Sequence, residues 1–397
     1  MNHVYVIDAV RTPIGKYGGA LAGVRPDDLL AHTIAALVKR NPSADVNDIE
    51  DVIAGAANQS GEDNRNVARM SLLLAGLPST IAGTTVNRLC ASGLQAIMDG
   101  ARAIACGDAN LVIACGVESM SRAPFVMPKS SSAWERNPQV FDTTMGWRFV
   151  NKRLSEKYHP FTMGETAENV AKQYNISREE QDQFAYSSQK KYQDAKAAGK
   201  FDEEIIPVLA PAGKEMINVN TDEHPRLSTI EKLNSLSPAF IANGTVTAGN
   251  SSGINDGASA LLLASDDAVK KYNLRPLAKI KSMAVAGVDP SVMGIGPVPA
   301  TRKALLRAGL TVSDIGLVEL NEAFASQSLA CMRDLGFDPS IVNVNGGSIA
   351  LGHPLGCSGA RISTTLLHEM KKRGTQYGLA TMCVGVGQGA AVIYEAP

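Results

Sequence analysis

Val46-Asn47-Asp48-Ile49-Glu50-Asp51-Val52 recurs 266 positions later as Val312-Ser313-Asp314-Ile315-Gly316-Leu317-Val318. The same offset carries Ser92-Gly93 onto Ser358-Gly359. Two coincidences at one shift, each at a helix–strand junction, point to an internal duplication. Between the copies, from Ser121 to about Asn243, the chain gains Pro, Ser, Lys and aromatic residues and loses its regular strand runs. That stretch includes the charged helical pattern Ser177-Arg178-Glu179-Glu180-Gln181. The pattern divides the chain into a first half over 1–120, an inserted subdomain over 121–245 and a second half over 246–397.

Strand and helix signals alternate within the first copy. Val4 to Ile7 and Asp51 to Ala54 are strand-like, Thr84-Thr85-Val86 is extended, and Leu111-Val112-Ile113-Ala114-Cys115 is a continuous apolar run of the kind buried on both faces. Pro26-Asp27-Asp28 opens a helical pattern through Leu29, Leu30, Ile34, Leu37 and Val38. Gly61 to Met70 leads into another helix, and Leu94, Ile97, Met98, Ala101, Ile104 and Ala105 mark a third that stops at Gly107-Asp108. Alternation of this kind predicts an α/β layer fold. Two facing copies would bring matching strand ends, with their functional residues, into one crevice.

Composition narrows the function. The 397 residues are 45% hydrophobic and 19% charged, as in a globular protein large enough for two or three domains. Lys plus Arg number 38 against 39 acidic residues, so no global field recruits nucleic acid or an anionic membrane, and an anionic ligand must be held locally. The N-terminus runs straight into a strand without basic or long apolar segments, from which a cytoplasmic address is expected. Six cysteines at 90, 106, 115, 331, 357 and 383 form no C-x-x-C pair, and no His stands at metal-ligand spacing. Neither a metal site nor a disulfide framework is expected.

Four stretches carry candidate chemistry. In Asn87-Arg88-Leu89-Cys90-Ala91-Ser92-Gly93 an extended segment meets a helix start, which places Cys90 at the first turn. Free N–H groups and the positive end of the macrodipole there are expected to favour a thiolate, although a buried cysteine can equally be packing. Leu317-Val318-Glu319-Leu320 ends in Asn321-Glu322-Ala323-Phe324, where Asn321 is either a polar site residue or a helix cap. The span Asn343 to Gly359 holds His353 in a glycine-rich path that leaves backbone amides free to donate. Leu379 to Gly389 ends a strand in Cys383, Val384 and Gly385, either a glycine-lined bend or an acid–base thiol beside an exposed N–H. The inventory suits acyl transfer through a covalent thioester. A second thiol points further, to carbon–carbon chemistry beside a thioester, because an enolate carbon needs its own proton donor and acceptor. A rival pattern is Gly249-Asn250-Ser251-Ser252-Gly253, a G-x-S-x-G match followed in chain order by Asp314 and His353, as in a serine hydrolase using Ser251.

Along essentially its whole length the chain resembles a thiolase: the Asn87–Gly93 stretch, Asn321-Glu322-Ala323-Phe324, Gly352-His353-Pro354 and Cys383-Val384-Gly385 match the family's four catalytic blocks in order. The resemblance implies two βαβαβαββ halves in a five-layered α-β-α-β-α core, with the insert as a loop domain on the coenzyme A side. It also implies homodimers or homotetramers, a possible association with a multienzyme subunit of β-oxidation, and coenzyme A as co-substrate, with no permanently bound cofactor. By position, Cys90 resembles the acylated nucleophile and Cys383 the acid–base that handles the acetyl-CoA enolate. His353 would activate Cys90 and, with a water held by Asn321, form one oxyanion hole. The N–H groups of Cys90 and Gly385 would form the other. Ser252 falls where the family meets the pantetheine arm, which argues against the hydrolase. Met163 falls near the substrate thioester, and Arg226 at a CoA phosphate contact.

Two departures bear on the subfamily. Thr162 stands where many acetoacetyl-CoA-forming thiolases have His before that Met, and the region Asp222 to Ser228 is one residue shorter than the usual adenine-side pattern. Gly61 to Met70, Ser121 to Met127 and Asp142 to Phe149 resemble 3-oxoadipyl-CoA thiolases of aromatic-acid breakdown. General 3-ketoacyl-CoA thiolases of fatty-acid oxidation and acetoacetyl-CoA thiolases are the alternatives.

Overall fold

The computed structural model describes residues 2–397. Its first copy begins with strand β1 (Val4–Arg11) and helix α1 (Pro26–Arg40). Proline at the helix start, Asp27 and Asp28 in the first turn and Lys39 and Arg40 in the last all suit the helix dipole. Strand β2 (Asp51–Gly55), helix α2 (Val67–Leu74), strand β3 (Ala82–Val86), helix α3 (Ser92–Cys106) and strand β4 (Leu111–Ser119) follow. All nine residues of β4 are buried, the apolar run over 111–115 as expected and with it the polar Glu118 and Ser119.

The chain then leaves the layers for its insert, whose main helices are α4 (Met163–Gln173) and α5 (Arg178–Ala197). Both open on complete capping boxes, Thr162 with Glu165 and Ser177 with Glu180. It returns in strand β5 (Asn255–Ser265), which pairs antiparallel with both β1 and β4. Sequence pattern groups 246–397 as the second half. Strand pairing instead assigns Asn255–Ser265 to the first, so the copies divide between Ser265 and Ala278.

The second copy comprises strand β6 (Ala278–Gly287), helix α6 (Pro297–Ala308), strand β7 (Leu317–Leu320), helices α7 (Ala325–Leu335) and α8 (Leu355–Arg373), and strands β8 (Tyr377–Val384) and β9 (Gln388–Glu395). The strand order is β7-β8-β9-β6-β1-β5-β4-β2-β3. Each half therefore repeats one arrangement, and the halves join where Tyr5 and Val6 pair with Lys279 and Ala278. The repeated sequence segments form equivalent short 3₁₀ turns, Val46–Asp48 before β2 and Val312–Asp314 before β7.

One expected strand is nearly absent. The second copy's counterpart of β3 is reduced to a single bridge between Val318 and Val342. Asn343 takes over beyond it: its side-chain oxygen accepts from the Leu320 N–H and its amide donates to the Leu320 carbonyl, both at 2.8 Å. A carboxamide presents the same donor and acceptor as a peptide group, so one side chain completes the strand edge.

Three apolar cores separate the layers. One lies between α1, α2 and the first half-sheet, one between α6, α7 and the second. The central core joins α3 and α8 with strands of both halves, which gives the α-β-α-β-α order. The insert is tied to this body through Arg11. Its fully buried guanidinium donates to Glu204 at 2.6 Å and to Asp222 at 2.6 and 3.0 Å. Removing one partner of such a buried group leaves uncompensated charge, so Arg11→Ala is expected to lower unfolding free energy by about 3–5 kcal/mol in denaturant titration.

Candidate active site

Cys90 lies in the tight turn between β3 and α3. Leu89 takes a left-handed conformation, φ 47°, and the Ala91 and Ser92 N–H groups donate to the Arg88 and Leu89 carbonyls at 3.0 Å. The Ser92 hydroxyl accepts from the Arg88 N–H and donates to the Leu89 carbonyl at 2.6 Å, which locks the turn. α3 begins only at Ser92, with Ala91 as its cap, so Cys90 stands just before the helix rather than in its first turn. The backbone N–H groups of Gly385 and of Cys90 itself favour its thiolate. Burial nevertheless pushes the thiol up to about 11, and the Glu118 charge adds to the rise. The expected easy thiolate is therefore not present at rest, because desolvation outweighs the two amides.

His353 is buried at the mouth of α8. Its N–H donates to Asn255 at 2.9 Å, and its Nδ1 lies 2.6 Å from the Ser358 hydroxyl. That hydroxyl donates to the Pro354 carbonyl at 2.8 Å, so it must accept from Nδ1–H. The imidazole lone pair is thus left on Nε2, on the side of Asn321 at 3.5 Å. Burial, and then the Arg361 charge, holds the histidine down to about 3, so its resting form is the neutral imidazole. Asn321 is oriented by a chain of its own: its oxygen accepts from Ser348 at 2.6 Å, and Ser348 accepts from the fully buried Arg361 at 3.1 Å. The Asn321 amide then donates one N–H to Nε2 of His353 and keeps the other for the site.

Cys383 ends β8. It is buried among Met163, Val246, Met293, Ala323 and Phe324, and burial raises its thiol well above the ordinary value, with charge on the nearby Cys90 raising it further. The next turn carries Gly385 and then Val386 at φ 62°, a left-handed conformation that a β-branched residue adopts rarely. A side chain on Gly385 would meet Leu89 at 3.2 Å and lie 3.8 Å from the Met163 sulfur. Leu89 and Met163 therefore stand beside Gly385, and His353 and Asn321 are joined by their own contact.

The two copies meet behind it. A Cβ on Gly93 would lie 2.8 Å from the Gly356 oxygen and the Ala360 nitrogen, so the starts of α3 and α8 touch backbone to backbone. Glu118 clamps this junction, accepting the N–H groups of Ala57, Asn58 and Gly356 at 2.9, 3.1 and 2.8 Å.

Residues 4–267 match the model for "Thiolase, N-terminal domain" and residues 274–396 that for "Thiolase, C-terminal domain". The chain belongs to the thiolase family. It is 56% identical to a beta-ketoadipyl-CoA thiolase of Acinetobacter baylyi, over 100% of both chains. It is 48% identical to a 3-ketoacyl-CoA thiolase of Photobacterium profundum, also over 100% of both. Among solved structures it is similar to the Bacillus anthracis acetyl-CoA acetyltransferase, with TM-score 0.94 and 42% identity, covering 100% of this chain and 99% of that one. The human mitochondrial 3-ketoacyl-CoA thiolase in complex with CoA gives TM-score 0.92 and 42% identity, covering 100% and 98%. This thiolase is thus an acyltransferase, and the family uses CoA as a substrate.

The hydrolase pattern does not assemble in this thiolase. Ser251 Oγ donates to the Thr247 carbonyl at 2.7 Å, Asp314 is exposed and caps a 3₁₀ turn, and His353 is committed to Ser358 and Asn321. Ser252 is half-buried, with its N–H on the Ala323 carbonyl at 3.0 Å, and so adjoins the NEAF segment. Arg226 is exposed and donates to the Ala248 carbonyl at 2.8 Å, on the same loop. His224 was missed by sequence reasoning: its ring fills the space over Gly253, and its buried Nε2 has no partner among the described residues. Ser348, Ser358, Asn255, Glu118 and Arg361 were also missed. Ser348, Asn255, Glu118 and Arg361 act only through groups distant in sequence, whereas Ser358 bonds His353 five positions away and stands in the repeated Ser358-Gly359 pair. Among the described residues no helix is long and apolar enough to cross a membrane.

With Cys90 protonated at rest, its alkylation by iodoacetamide, followed by mass spectrometry of the Cys90 peptide, is expected to accelerate continuously from pH 7 to 10. Thiolate grows with pH towards the value near 11. A rate plateau by pH 7 would show a thiolate already formed.

Proposed function

We propose that this thiolase is degradative and cleaves 3-oxoadipyl-CoA with CoA, giving acetyl-CoA and succinyl-CoA. One observation carries the substrate: identity is 56% to the full-length beta-ketoadipyl-CoA thiolase against 48% to the 3-ketoacyl-CoA thiolase. Thr162, whose side chain is committed to Glu165 at 2.8 Å, supports the degradative direction over acetoacetyl-CoA synthesis.

In the cleaving direction Cys90 Sγ attacks the 3-keto carbon as its proton passes to Nε2 of His353, displacing the weak contact from the Asn321 amide. The oxyanion is met by donors of the kind the site offers. A water on Asn321, with His353, serves one oxygen, and the N–H groups of Cys90 and Gly385 serve the thioester oxygen. The C2–C3 bond breaks, the electron pair stays on C2, and the Cys383 thiol protonates that carbon to release acetyl-CoA. The Cys383 thiolate then takes the proton of incoming CoA, whose sulfur attacks the acyl group on Cys90. Succinyl-CoA leaves, and His353 returns its proton to Cys90. Ser252 holds the pantetheine arm, Met163 lies beside the thioester, and Arg226 reaches a CoA phosphate.

Second copies complete the particle. Strand β3 is an edge, partly exposed and paired only on the β2 side, which supports a homodimer built by continuing the sheet. Exposed Phe125, Met127, Trp134 and Val140 on the insert supply an apolar surface for a homotetramer. Six unpaired cysteines support a reducing, cytoplasmic setting.

Cys90→Ala is expected to abolish acyl labelling and turnover. Cys383→Ala should still take up an acyl group, with cleavage reduced about 10²–10⁴-fold; normal turnover by Cys90→Ala overturns the mechanism. Side-by-side kcat/KM values for CoA-dependent cleavage of 3-oxoadipyl-CoA, a long-chain 3-ketoacyl-CoA and acetoacetyl-CoA decide the substrate. Preference for either of the last two rejects it.

A further inference from the structure

A 3-oxoadipyl group ends in a carboxylate three bonds beyond the carbon that Cys90 attacks. Bringing that charge into a pocket lined by Leu89, Met163 and Gly385 requires a cation on the acyl side. Most cations near the site already have partners. Arg88 is held by Gln95 and Gln388 at 2.7 and 2.8 Å, Arg122 by Glu62, and Arg226 by the Ala248 carbonyl.

The segment over 143–149 is tied at both ends to neighbours of Leu89 and Met163. At one end Thr143 is fixed to Asn58 at 3.0 Å and to the Pro124 carbonyl at 2.6 Å, and the neighbouring Ala57 carbonyl accepts from Asn87 of the Cys90 turn at 3.0 Å. At the other end the Trp147 indole donates to the Phe161 carbonyl at 3.0 Å, two residues before Met163. The segment is thus strapped from the Cys90 turn to the start of α4, and Arg148 stands on it beside the anchored indole. Lys129, Arg136, Lys152, Arg153, Lys157 and His159 are exposed, whereas Arg148 is half-buried. Among the described residues its guanidinium has neither a hydrogen-bond acceptor nor a carboxylate within ion-pair distance. A partly desolvated guanidinium without an anion is a receptor for one, and its planar fork fits a carboxylate through two parallel hydrogen bonds.

We propose that Arg148 is the specificity-determining residue that binds the distal carboxylate of the acyl chain. This rests on the 3-oxoadipyl-CoA reading above, and its test separates the two. The substrates are 3-oxoadipyl-CoA and 3-oxohexanoyl-CoA, the latter of equal chain length with a methyl in place of the carboxylate. In the unaltered enzyme the ratio of their kcat/KM values favours 3-oxoadipyl-CoA. Arg148→Met is expected to reduce that ratio about 10- to 100-fold, as loss of a charged hydrogen-bonding pair implies, with the change mainly in the 3-oxoadipyl-CoA KM. Arg148→Lys should restore part of it. An unchanged ratio in Arg148→Met overturns the assignment of Arg148 while leaving the substrate reading intact. No preference for 3-oxoadipyl-CoA in the unaltered enzyme overturns both.

Discussion

The backbone contact between the starts of α3 and α8 is the constraint on which the site depends. Two helices can meet this closely only without side chains at the contact, and Gly93 and Gly356 meet that demand. By the repeat offset Gly356 is the counterpart of Cys90. A Cβ there would lie 2.6 Å from the Val117 oxygen and 2.7 Å from the Ala56 Cα. The second copy therefore has no room for a nucleophile of its own. Its helix start serves instead to hold His353, through Ser358 and Asn255.

The electrostatics of the pocket follow from how dry it is. Both thiols are pushed up and the histidine is pushed down, each chiefly by burial. The resting site is thus uncharged, with proton donors and an acceptor in place but no ion pair formed. Arg361 contributes twice: it anchors Ser348, and through that hydroxyl Asn321, while its charge helps keep His353 neutral.

What was legible in the sequence was local or repeated. The helix over Ser92–Cys106 follows from apolar residues three and four apart, and the two-copy architecture from a single shared offset. The positions of Cys90, His353, Asn321 and Cys383 were legible as motifs. The boundary at 246 was not, because the membership of Asn255–Ser265 depends on register with strands more than a hundred residues away. Nothing in Asn343 announces that its side chain completes the edge of β7. The Ser251, Asp314 and His353 order resembled a triad because chain order says nothing of where an exposed turn lies. The rise in the Cys90 thiol was not legible, because Cys90 precedes its helix and the residues that surround it are distant in sequence.

The position of the insert bears on how the chain is made. Residues 1–119 supply four of the five strands of the first half-sheet, but β1 has no partner within that half until Asn255–Ser265 exists. During synthesis from the N-terminus, β1 and the near side of β4 must wait, apolar and unpaired, while the whole insert is translated. Arg11 waits as well, since Asp222 lies 211 positions on. The half carrying Cys90 is therefore the first begun and cannot close early, and exposure of its strands on the ribosome is set by the length of the insert.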